Sequence, residues 1–196
     1  NVYIIGPERS AQDNYGIRKA KGEIIYLTGS DMAMDYDYIK QGVKKIQEGY
    51  DAIYASVLTD RDITHFWGKV KALERLCYIG DNTIESARFF KKEVWEKIEG
   101  FDEKLIQVEE DFQHRLDNHG YRTGRITARE YHLHEEDSLW RVFKKFYYYG
   151  KFYRHYLKKH KGRGVKQLQP FRNFKPFLKH PILLGGLIIY KMVQYG

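Results

Sequence analysis

The first 58 residues alternate between short apolar segments and segments with helical periodicity, and this rhythm constrains the fold more than any other feature of the chain. The apolar segments predict strands over residues 2–5, 24–27 and 51–58, and the segments between them predict helices over 10–20 and 38–48. The strands are apolar on both faces, which is typical of a parallel sheet covered by helices. Helices between parallel strands supply the crossover connections that such a sheet needs. The sequence therefore predicts an α/β fold with a mostly parallel sheet flanked by helices.

The elements that follow are shorter or less regular. Gly22 and Gly49 are expected to end the first two helices, because glycine adopts the left-handed C-cap conformation without strain. Further along, the pattern predicts helices over 67–79, 92–98 and 110–118, a short strand over 87–90, and an extended segment over 125–132.

Composition narrows the class of protein. The single cysteine, Cys77, excludes an internal disulfide framework and cysteine-rich zinc sites, and we expect it to be a buried small apolar residue in a reducing compartment. The chain begins with Asn1 rather than Met, and no charged leader precedes an apolar core and a cleavage site. We therefore expect a piece of a longer protein, without a signal peptide.

Charge divides the chain into two parts. Residues 1–137 contain 20 Lys and Arg against 26 Asp and Glu, whereas residues 138–196 contain 14 Lys and Arg and no acidic residue. A block this basic is expected to bind phosphate, whether on a lipid, a nucleotide or a nucleic acid. We therefore expect residues 1–137 to form the α/β core and residues 138–196 to be a basic C-terminal helical extension.

The basic part itself has two predicted sections. Residues 138–160 form a long amphipathic helix that is expected to pack on the core through an apolar stripe of Leu139, Phe143, Phe146, Gly150, Tyr153 and Leu157. Residues 161–196 interleave basic and aromatic residues and end in the apolar run 181–190. A helix needs about 20 residues to span a bilayer, so this run predicts an interfacial or re-entrant helix. The alternative is a spanning segment that is cut at Gly196. We expect residues 161–196 to stay off the core and bind an anionic membrane surface.

One turn places a carboxylate where ligand chemistry is expected. The strand over 24–27 runs into Thr28, Gly29 and Ser30 and ends at Asp31. Ligands of α/β folds bind beyond the carboxyl ends of strands. A carboxylate there suits Mg²⁺ or Mn²⁺ bound together with substrate phosphates, which the Ser30 hydroxyl and the turn amides would support. The alternative is a plain surface turn.

Two later pairs of residues are also chemical candidates. Glu110 and Asp111 open a predicted helix, where acidic side chains either stabilise the helix terminus or supply a general base for an acceptor hydroxyl. His132 and His134 alternate on the extended segment, so only one of them faces a given site if that segment is a regular strand. Each histidine is either structural or a metal ligand.

In combination, these segments resemble glycosyltransferase family 2, whose fold is GT-A. The matching segments run in family order over residues 8 to about 155, and they are Ser10-Ala-Gln-Asp-Asn14-Tyr-Gly16, Ala20-Lys-Gly-Glu23, Ser30-Asp31-Met32, Gly100-Phe-Asp-Glu103, Glu110-Asp111 with Arg115, Gly120-Tyr121, His132, and the helix that contains Ser138-Leu139 and Tyr149-Gly150. The resemblance implies a Rossmann-like GT-A core and an inverting transfer of a sugar from a nucleotide diphosphate to an acceptor hydroxyl.

The resemblance also implies roles for individual residues. Asp31 corresponds to the last Asp of the family's Asp-x-Asp, which binds Mn²⁺ or Mg²⁺ on the donor diphosphate, and His132 and His134 are further metal candidates. Asp111 corresponds to the catalytic base, and Glu110 to its partner. The donor-binding residues are expected to be Arg9, Asn14, Gly29, Ser30 and Asp31.

The chain departs from the family pattern at two places. Gly29 stands where the family has the first Asp of Asp-x-Asp, which removes a carboxylate expected near the ribose or the sugar. The opening strand–helix–strand of the family, which carries much of the base pocket, has no counterpart before Asn1. A Gln-x-x-Arg-Trp run, typical of processive polysaccharide synthases, is absent from the sequence.

Three functions follow as hypotheses. The first is an inverting glycosyltransferase at the cytoplasmic face of a membrane, with a glycan or a polyprenyl-phosphate-type acceptor. The second is nucleic-acid binding through the basic tail, which the apolar run 181–190 disfavours. The third is a catalytically silent relative, marked by Gly29.

Overall fold

The computed structural model describes residues 3–6, 8–106, 108–160 and 175–195. Helices and strands alternate through the first half of the chain, and helices dominate its end. The α/β class and the helical C-terminal extension are therefore confirmed. The elements are α1 (Arg9–Lys19), β1 (Ile24–Tyr26), β2 (Met32–Met34), α2 (Tyr38–Gln47), β3 (Ala52–Tyr54), β4 (Val57–Thr59), α3 (Phe66–Leu76), β5 (Ala87–Lys91), α4 (Lys92–Lys97), α5 (Val108–Asn118), β6 (Thr123–Arg125), β7 (Glu130–His132), α6 (Leu139–Lys159), a 3-10 helix (Lys175–Lys179) and α7 (Pro181–Tyr195).

The larger sheet has the strand order β1-β5-β3-β6. β6 is parallel to β3, and β5 is antiparallel to both β1 and β3. Three strands therefore run in one direction, as predicted, but the expectation of parallel pairing is wrong for β5. Apolar periodicity does not encode strand direction, which depends on the path of the preceding connection.

A smaller sheet divides the predicted strand over 51–58. Its order is β2-β7-β4, with β7 antiparallel to β2 and parallel to β4. The carbonyls of Tyr54 and Ser56 accept hydrogen bonds from the amides of Ile126 (3.2 Å) and Glu130 (3.1 Å). The chain thus leaves one sheet after Tyr54 and enters the other at Val57, so two strands replace the single one predicted.

Two local predictions near the start of the chain are wrong. Residues 3–5 are not a strand, because no strand among the described residues pairs with this segment. Ile4 is 98% exposed, and residue 2 lies outside the described residues. Helix α1 ends at Lys19, before Gly22, because Ala20 already has an extended backbone. Gly49 ends α2 as predicted, with φ at 91°.

The two faces of the larger sheet support separate apolar clusters. Tyr54 and Phe90 face α1, α4 and α5, whereas Ile53 and Phe89 face α2. Alternate side chains of a strand point to opposite faces, so both faces of β3 and β5 are buried. This double burial explains why their sequences read as continuous apolar runs.

A third apolar cluster joins the C-terminal helices to α3. Val142 of α6, Phe177, and Leu187 and Tyr190 of α7 pack with Val70 of α3. The expectation that the chain after residue 161 stays off the core is therefore wrong for residues 175–195. The apolar side chains of α7 pack on α3, and the periodicity of α7 alone does not identify that surface. Residues 161–174 lie outside the described part of the chain.

Two details define how these helices pack. In α6, Val142 and Tyr156 are fully buried while Phe143 is 40% exposed, so the buried face lies about one residue away from the predicted stripe. In α7, a Cβ on Gly186 would lie 2.7 Å from a ring carbon of Phe66. Glycine at this position therefore allows α7 to approach α3 closely.

Among the residues described here, none of the helices combines the length and the apolar character needed to cross a membrane.

Candidate active site

A cleft of about 930 Å³ lies between the core and the C-terminal helices. Its walls come from the start of α1, from α3, from the start of α5, and from α6 and α7. Its lining side chains include Arg9, Glu74, Glu109, Glu110, Tyr153 and Lys191. The cleft is large enough for a small-molecule substrate, and its wall combines aromatic side chains with eight charged ones.

Glu110 is the carboxylate of this cleft whose titration is most altered. Helix α5 begins at Val108, two residues before the predicted start, so Glu110 lies within its first turn. Burial, and then the neighbouring charge of Glu109, raise the pKa of Glu110 to about 7. A carboxyl group with such a pKa exchanges a proton near neutral pH, which is what a general base requires.

Glu109, which the sequence reasoning missed, lies beside Glu110 in the same cleft. Its Oε1 is 2.8 Å from Arg9 Nη2 and 3.5 Å from Arg88 Nη1. Burial alone would raise the pKa of Glu109, but the charges of Arg9 and Arg88 outweigh it, so the pKa lies below its ordinary value. Glu109 therefore remains an anion that holds Arg9 at the edge of the cleft. Its position next to Glu110 was the available sequence signal.

Asp111 lies in a different environment from the one predicted for it. Its side chain is fully buried and does not line the cleft. Arg115 Nη2 lies 2.7 Å from Oδ2, and Oδ1 lies 2.7 Å from Lys159 Nζ and 2.6 Å from His160 Nε2. Burial would raise the pKa of Asp111, but the hydrogen bond from Lys159 and the charge of Arg115 hold it below its ordinary value. This carboxylate ties α5 to the end of α6, and an acceptor hydroxyl would have to displace a cation to reach it.

Asn14, which was expected to bind the donor, uses its side-chain amide in hydrogen bonds within the protein. Its Nδ2 donates to the carbonyl of Phe101 (2.9 Å) and to Glu103 Oε1 (2.8 Å), and its Oδ1 accepts from the amide of Phe101 (2.9 Å). The side chain is buried and holds the turn at Gly100, whose φ is 69°. Its amide therefore uses both ends to fix this turn between α4 and α5.

The turn that ends at Asp31 meets one of the two predicted histidines. Met32 pairs with His132 across β2 and β7, and this register brings His132 Nε2 to 3.3 Å from Asp31 Oδ2. His134 lies beyond the end of β7 and is exposed, as is Ser30. The structure thus brings together Asp31 and His132, and neither of them lines the 930 Å³ cleft.

Gly29 lies directly beside the Asp31 carboxylate. A Cβ at Gly29 would be 2.7 Å from Asp31 Oδ1. Any larger residue here would push the Asp31 side chain to a new position, because real Cβ contacts are never this short. The present position of the Asp31 carboxylate therefore depends on glycine at residue 29.

A charged network connects this turn with the cleft. Arg88 Nε is 2.9 Å from Glu130 Oε2, and Glu130 accepts hydrogen bonds from Tyr26 and from Thr28 (3.1 Å). The same Arg88 contacts Glu109 on the cleft side. Sequence reasoning missed Arg88 and Glu130, because each is a single charge within an otherwise apolar or irregular segment. Through them, β1 and the start of α5 are held in a fixed relation.

The described residues contain no group of three or more His, Cys, Asp or Glu side chains arranged to hold a metal ion. Asp31 and His132 are a pair of ligands, one oxygen and one nitrogen. Mg²⁺ and similar ions are commonly held by one or two protein groups together with substrate phosphates and waters. The pair therefore fits an ion that arrives with a diphosphate, rather than one held by protein ligands alone.

A comparison with known proteins identifies one family. The family model described as Glycosyl transferase family 2 matches residues 8–191, which is most of the chain and includes the Asp31 turn, α6 and α7 as far as Lys191. A search of curated proteins finds no match.

Proposed function

Because the chain belongs to glycosyltransferase family 2, and with it to the glycosyltransferases that use nucleotide-sugar donors, we propose that it transfers a sugar to an acceptor hydroxyl bound in the 930 Å³ cleft. The observation that carries this proposal is the position of Glu110, a partly buried carboxyl on the wall of a cleft of substrate size. The family supplies the reaction type, and this residue indicates where the acceptor binds.

Glu110 is the proposed general base, in place of Asp111. It takes the proton of the acceptor hydroxyl as the oxygen forms its bond to the anomeric carbon, while the bond from that carbon to the nucleoside diphosphate breaks on the opposite side. The configuration is inverted because a single displacement occurs. A pKa of about 7 supports this role, since a base with a pKa near the working pH is effective in proton transfer.

Asp31 and His132 are the proposed ligands of a divalent ion, Mn²⁺ or Mg²⁺, on the donor diphosphate. When bound, the ion would neutralise negative charge that develops on the leaving diphosphate. Arg9 supports an anionic donor at the edge of the cleft, where Glu109 holds its guanidinium. We do not extend a donor role to Asn14, because its amide is used at the Phe101 turn.

The proposed working place is the cytoplasmic face of a membrane, with a glycan or a polyprenyl-phosphate-type acceptor. Support comes from the 14 cationic and no acidic residues of 138–196 and from aromatic side chains on the cleft wall, such as Tyr149 and Tyr153. Aromatic rings pack against either sugar rings or prenyl chains. Nucleic acid is the less favoured partner, because α7 presents aliphatic side chains to solvent.

The test combines a reaction with a binding measurement. The protein is incubated with a panel of nucleotide-sugars with and without Mn²⁺, and release of the nucleoside diphosphate is measured. Separately, Mn²⁺ binding in the presence of nucleoside diphosphates is followed by electron paramagnetic resonance. Asp31→Ala is expected to slow the release of nucleoside diphosphate and to weaken Mn²⁺ binding. The matched control Asp62→Ala, in an exposed loop, is expected to leave the rate and the binding unchanged.

The two measurements separate the possible failures. Turnover that is equal in the presence and absence of Mn²⁺, with no effect of Asp31→Ala, would refute the metal assignment but leave the transferase intact. Absence of turnover with every donor, despite normal nucleotide binding, would instead favour the catalytically silent relative. Gly29 would then be the first residue to examine, because it borders the Asp31 carboxylate.

A further inference from the structure

Three aromatic side chains form an exposed row on α6. Trp140, Phe143 and Tyr147 are 62%, 40% and 64% exposed. Their ring centroids are 5.4 Å and 6.0 Å apart, with interplanar angles of 12° and 27°. We call these three residues the aromatic ladder. Contiguous exposed apolar surface on a folded protein commonly marks an interaction site.

Cations accompany the aromatic ladder. Lys144 Nζ lies 5.2 Å from the centroid of the Trp140 ring, and Lys151 Nζ lies 5.3 Å from that of Tyr147. No acidic residue occurs anywhere in residues 138–196. Aromatic rings combined with Lys and Arg are typical of segments that lie at the surface of an anionic bilayer, where the rings enter the headgroup region and the cations bind phosphate.

Helix α7 presents a second apolar face. Ile182, Ile189 and Met192 are 78%, 48% and 70% exposed. The only charged residue of this helix, Lys191, points inward and pairs with Glu74. An uncharged aliphatic face has no affinity for a polyphosphate, but it is suited to acyl chains. This face therefore distinguishes a lipid surface from a nucleic acid as the partner.

Two residues of the aromatic ladder and the C-terminal end of α7 line a common cleft. A second cleft, of about 750 Å³, is lined by Phe143 and Tyr147 of the aromatic ladder and by Val193 and Tyr195 of α7. Arg154 and Tyr195 line both this cleft and the 930 Å³ cleft that contains Glu110. The apolar surface of α6 and α7 is thus continuous with the wall of the candidate active site.

We infer that the aromatic ladder and the exposed face of α7 together dock the protein on an anionic lipid bilayer. This docking turns the shared wall of the two clefts toward the membrane, so an acceptor carried on a lipid reaches Glu110 without leaving the interface. The inference deepens the proposed function and rests on it for the identity of the acceptor. The docking itself is measured by binding alone.

The experiment measures binding of the protein to vesicles of phosphatidylcholine with and without phosphatidylglycerol, by co-sedimentation over a series of salt concentrations. The test variant is Trp140→Ser with Phe143→Ser and Tyr147→Ser. The control variant is Tyr36→Ser with Ile39→Ser, which removes exposed apolar side chains (107% and 41%) from another surface. We expect the test variant to bind anionic vesicles at least about tenfold more weakly, and the control variant to bind them as the wild type does.

A second readout uses Trp140, the exposed one of the three tryptophans. Its emission is expected to shift to the blue on vesicle binding, and Trp140→Phe is expected to remove the shift, because Trp95 is buried and Trp67 packs in the third apolar cluster. Equal vesicle binding by the test variant and the wild type would overturn the inference. The inference would also be overturned if the protein does not bind vesicles and the aromatic ladder is instead required for oligonucleotide binding or for self-association. Nucleotide-sugar turnover in solution is expected to persist in the test variant, so failure of docking is distinguishable from failure of the proposed transferase.

Discussion

Two acidic regions line the same cleft and have opposite electrostatic properties. At the start of α5, Glu110 has a pKa raised to about 7, and no cation lies within ion-pair distance of its carboxylate among the described residues. Across the cleft, Lys71 lies 2.8 Å from Glu74, and Lys191 also pairs with it. Burial alone would raise the pKa of Glu74, but these two lysines lower it to about 2.

The comparison shows that neighbouring cations, rather than burial, determine which carboxylate is available for chemistry. Glu74 is buried and Glu110 is partly buried, and burial raises the pKa of each. Glu74 is compensated, and its ion pairs link α3 to α7. Glu110 is uncompensated, which costs folding free energy and leaves a carboxyl that can exchange a proton. Perturbed groups of the second kind are concentrated at functional sites.

The largest effect is expected from Glu110→Gln. The variant keeps the size of the side chain but removes the base, so the rate of sugar transfer is expected to fall by about 10²–10⁴-fold. Binding of the nucleoside diphosphate is expected to remain unchanged, because Glu110 acts on the acceptor. Transfer is measured as nucleoside diphosphate release at saturating donor, and nucleotide binding by calorimetry.

Asp111→Asn serves as the contrasting variant for this prediction. Asp111 is buried beside Arg115, Lys159 and His160. Its replacement is expected to lower the free energy of unfolding by about 3 kcal/mol or more, because Arg115 and Lys159 lose their shared anion. A folded Asp111→Asn protein should retain transfer. An inactive Asp111→Asn protein of normal stability, beside an active Glu110→Gln protein, would return the role of base to Asp111.

The next effect concerns the compensated carboxylate. Glu74→Gln leaves Lys71 and Lys191 without their shared anion in a buried site, and removing one partner of a buried ion pair costs about 3–5 kcal/mol. We expect the midpoint of chemical unfolding to fall accordingly, since the contact between α3 and α7 weakens. The free energy of unfolding is measured by circular dichroism in urea.

A second substitution in the same region sharpens this test. Adding Lys191→Met to Glu74→Gln removes a buried cation together with the anion, and apolar replacements of buried ion pairs are often neutral. The double variant is therefore expected to recover much of the lost stability. If it is as unstable as Glu74→Gln alone, the charges at Glu74 do not account for the effect.

The contrast between these regions also explains what could be predicted from the sequence. Helices α1, α2 and α6, strand β1 and the end of α2 at Gly49 followed from periodicity and from glycine chemistry. The direction of β5 and the division of residues 51–58 between two sheets did not, because both depend on pairing partners that are distant in sequence. The packing of α7 on α3 likewise required a surface that its own apolar pattern does not identify.

For the site, the sequence identified candidate carboxylates, but it did not show which of them pair with cations in the folded protein. Two adjacent carboxylates at a helix start make Glu110 a candidate from sequence alone, whereas the contact between His132 and Asp31 comes from the pairing of β2 with β7. The two cations and the histidine around Asp111 come from α5 and from the end of α6. Those from α6 are separated from Asp111 by nearly fifty residues, so their convergence is a property of the fold. The same holds for Arg88, which reaches Glu109 across the core.

The smallest effect is the pH dependence of stability, and it has opposite signs in the two regions. Glu110 has a folded pKa of about 7 against an ordinary value of 4.5, so the folded protein retains this proton over a range in which the unfolded chain has released it. Its contribution therefore destabilises the fold as the pH rises from about 4.5 to about 7, by about 1–3 kcal/mol.

For Glu74, with a folded pKa of about 2, the contribution is stabilising above pH 4.5 and is lost as the pH falls toward 2. Urea unfolding of wild type and Glu110→Gln at a series of pH values tests the difference. The variant is expected to be the more stable protein at pH 8, with the gap closing below pH 4.5. A difference in unfolding free energy that is constant with pH would mean that the pKa of Glu110 is not raised. Glu110 and Glu74 would then differ in their contacts but not in the way described here, and Glu110 would hold no proton near neutral pH.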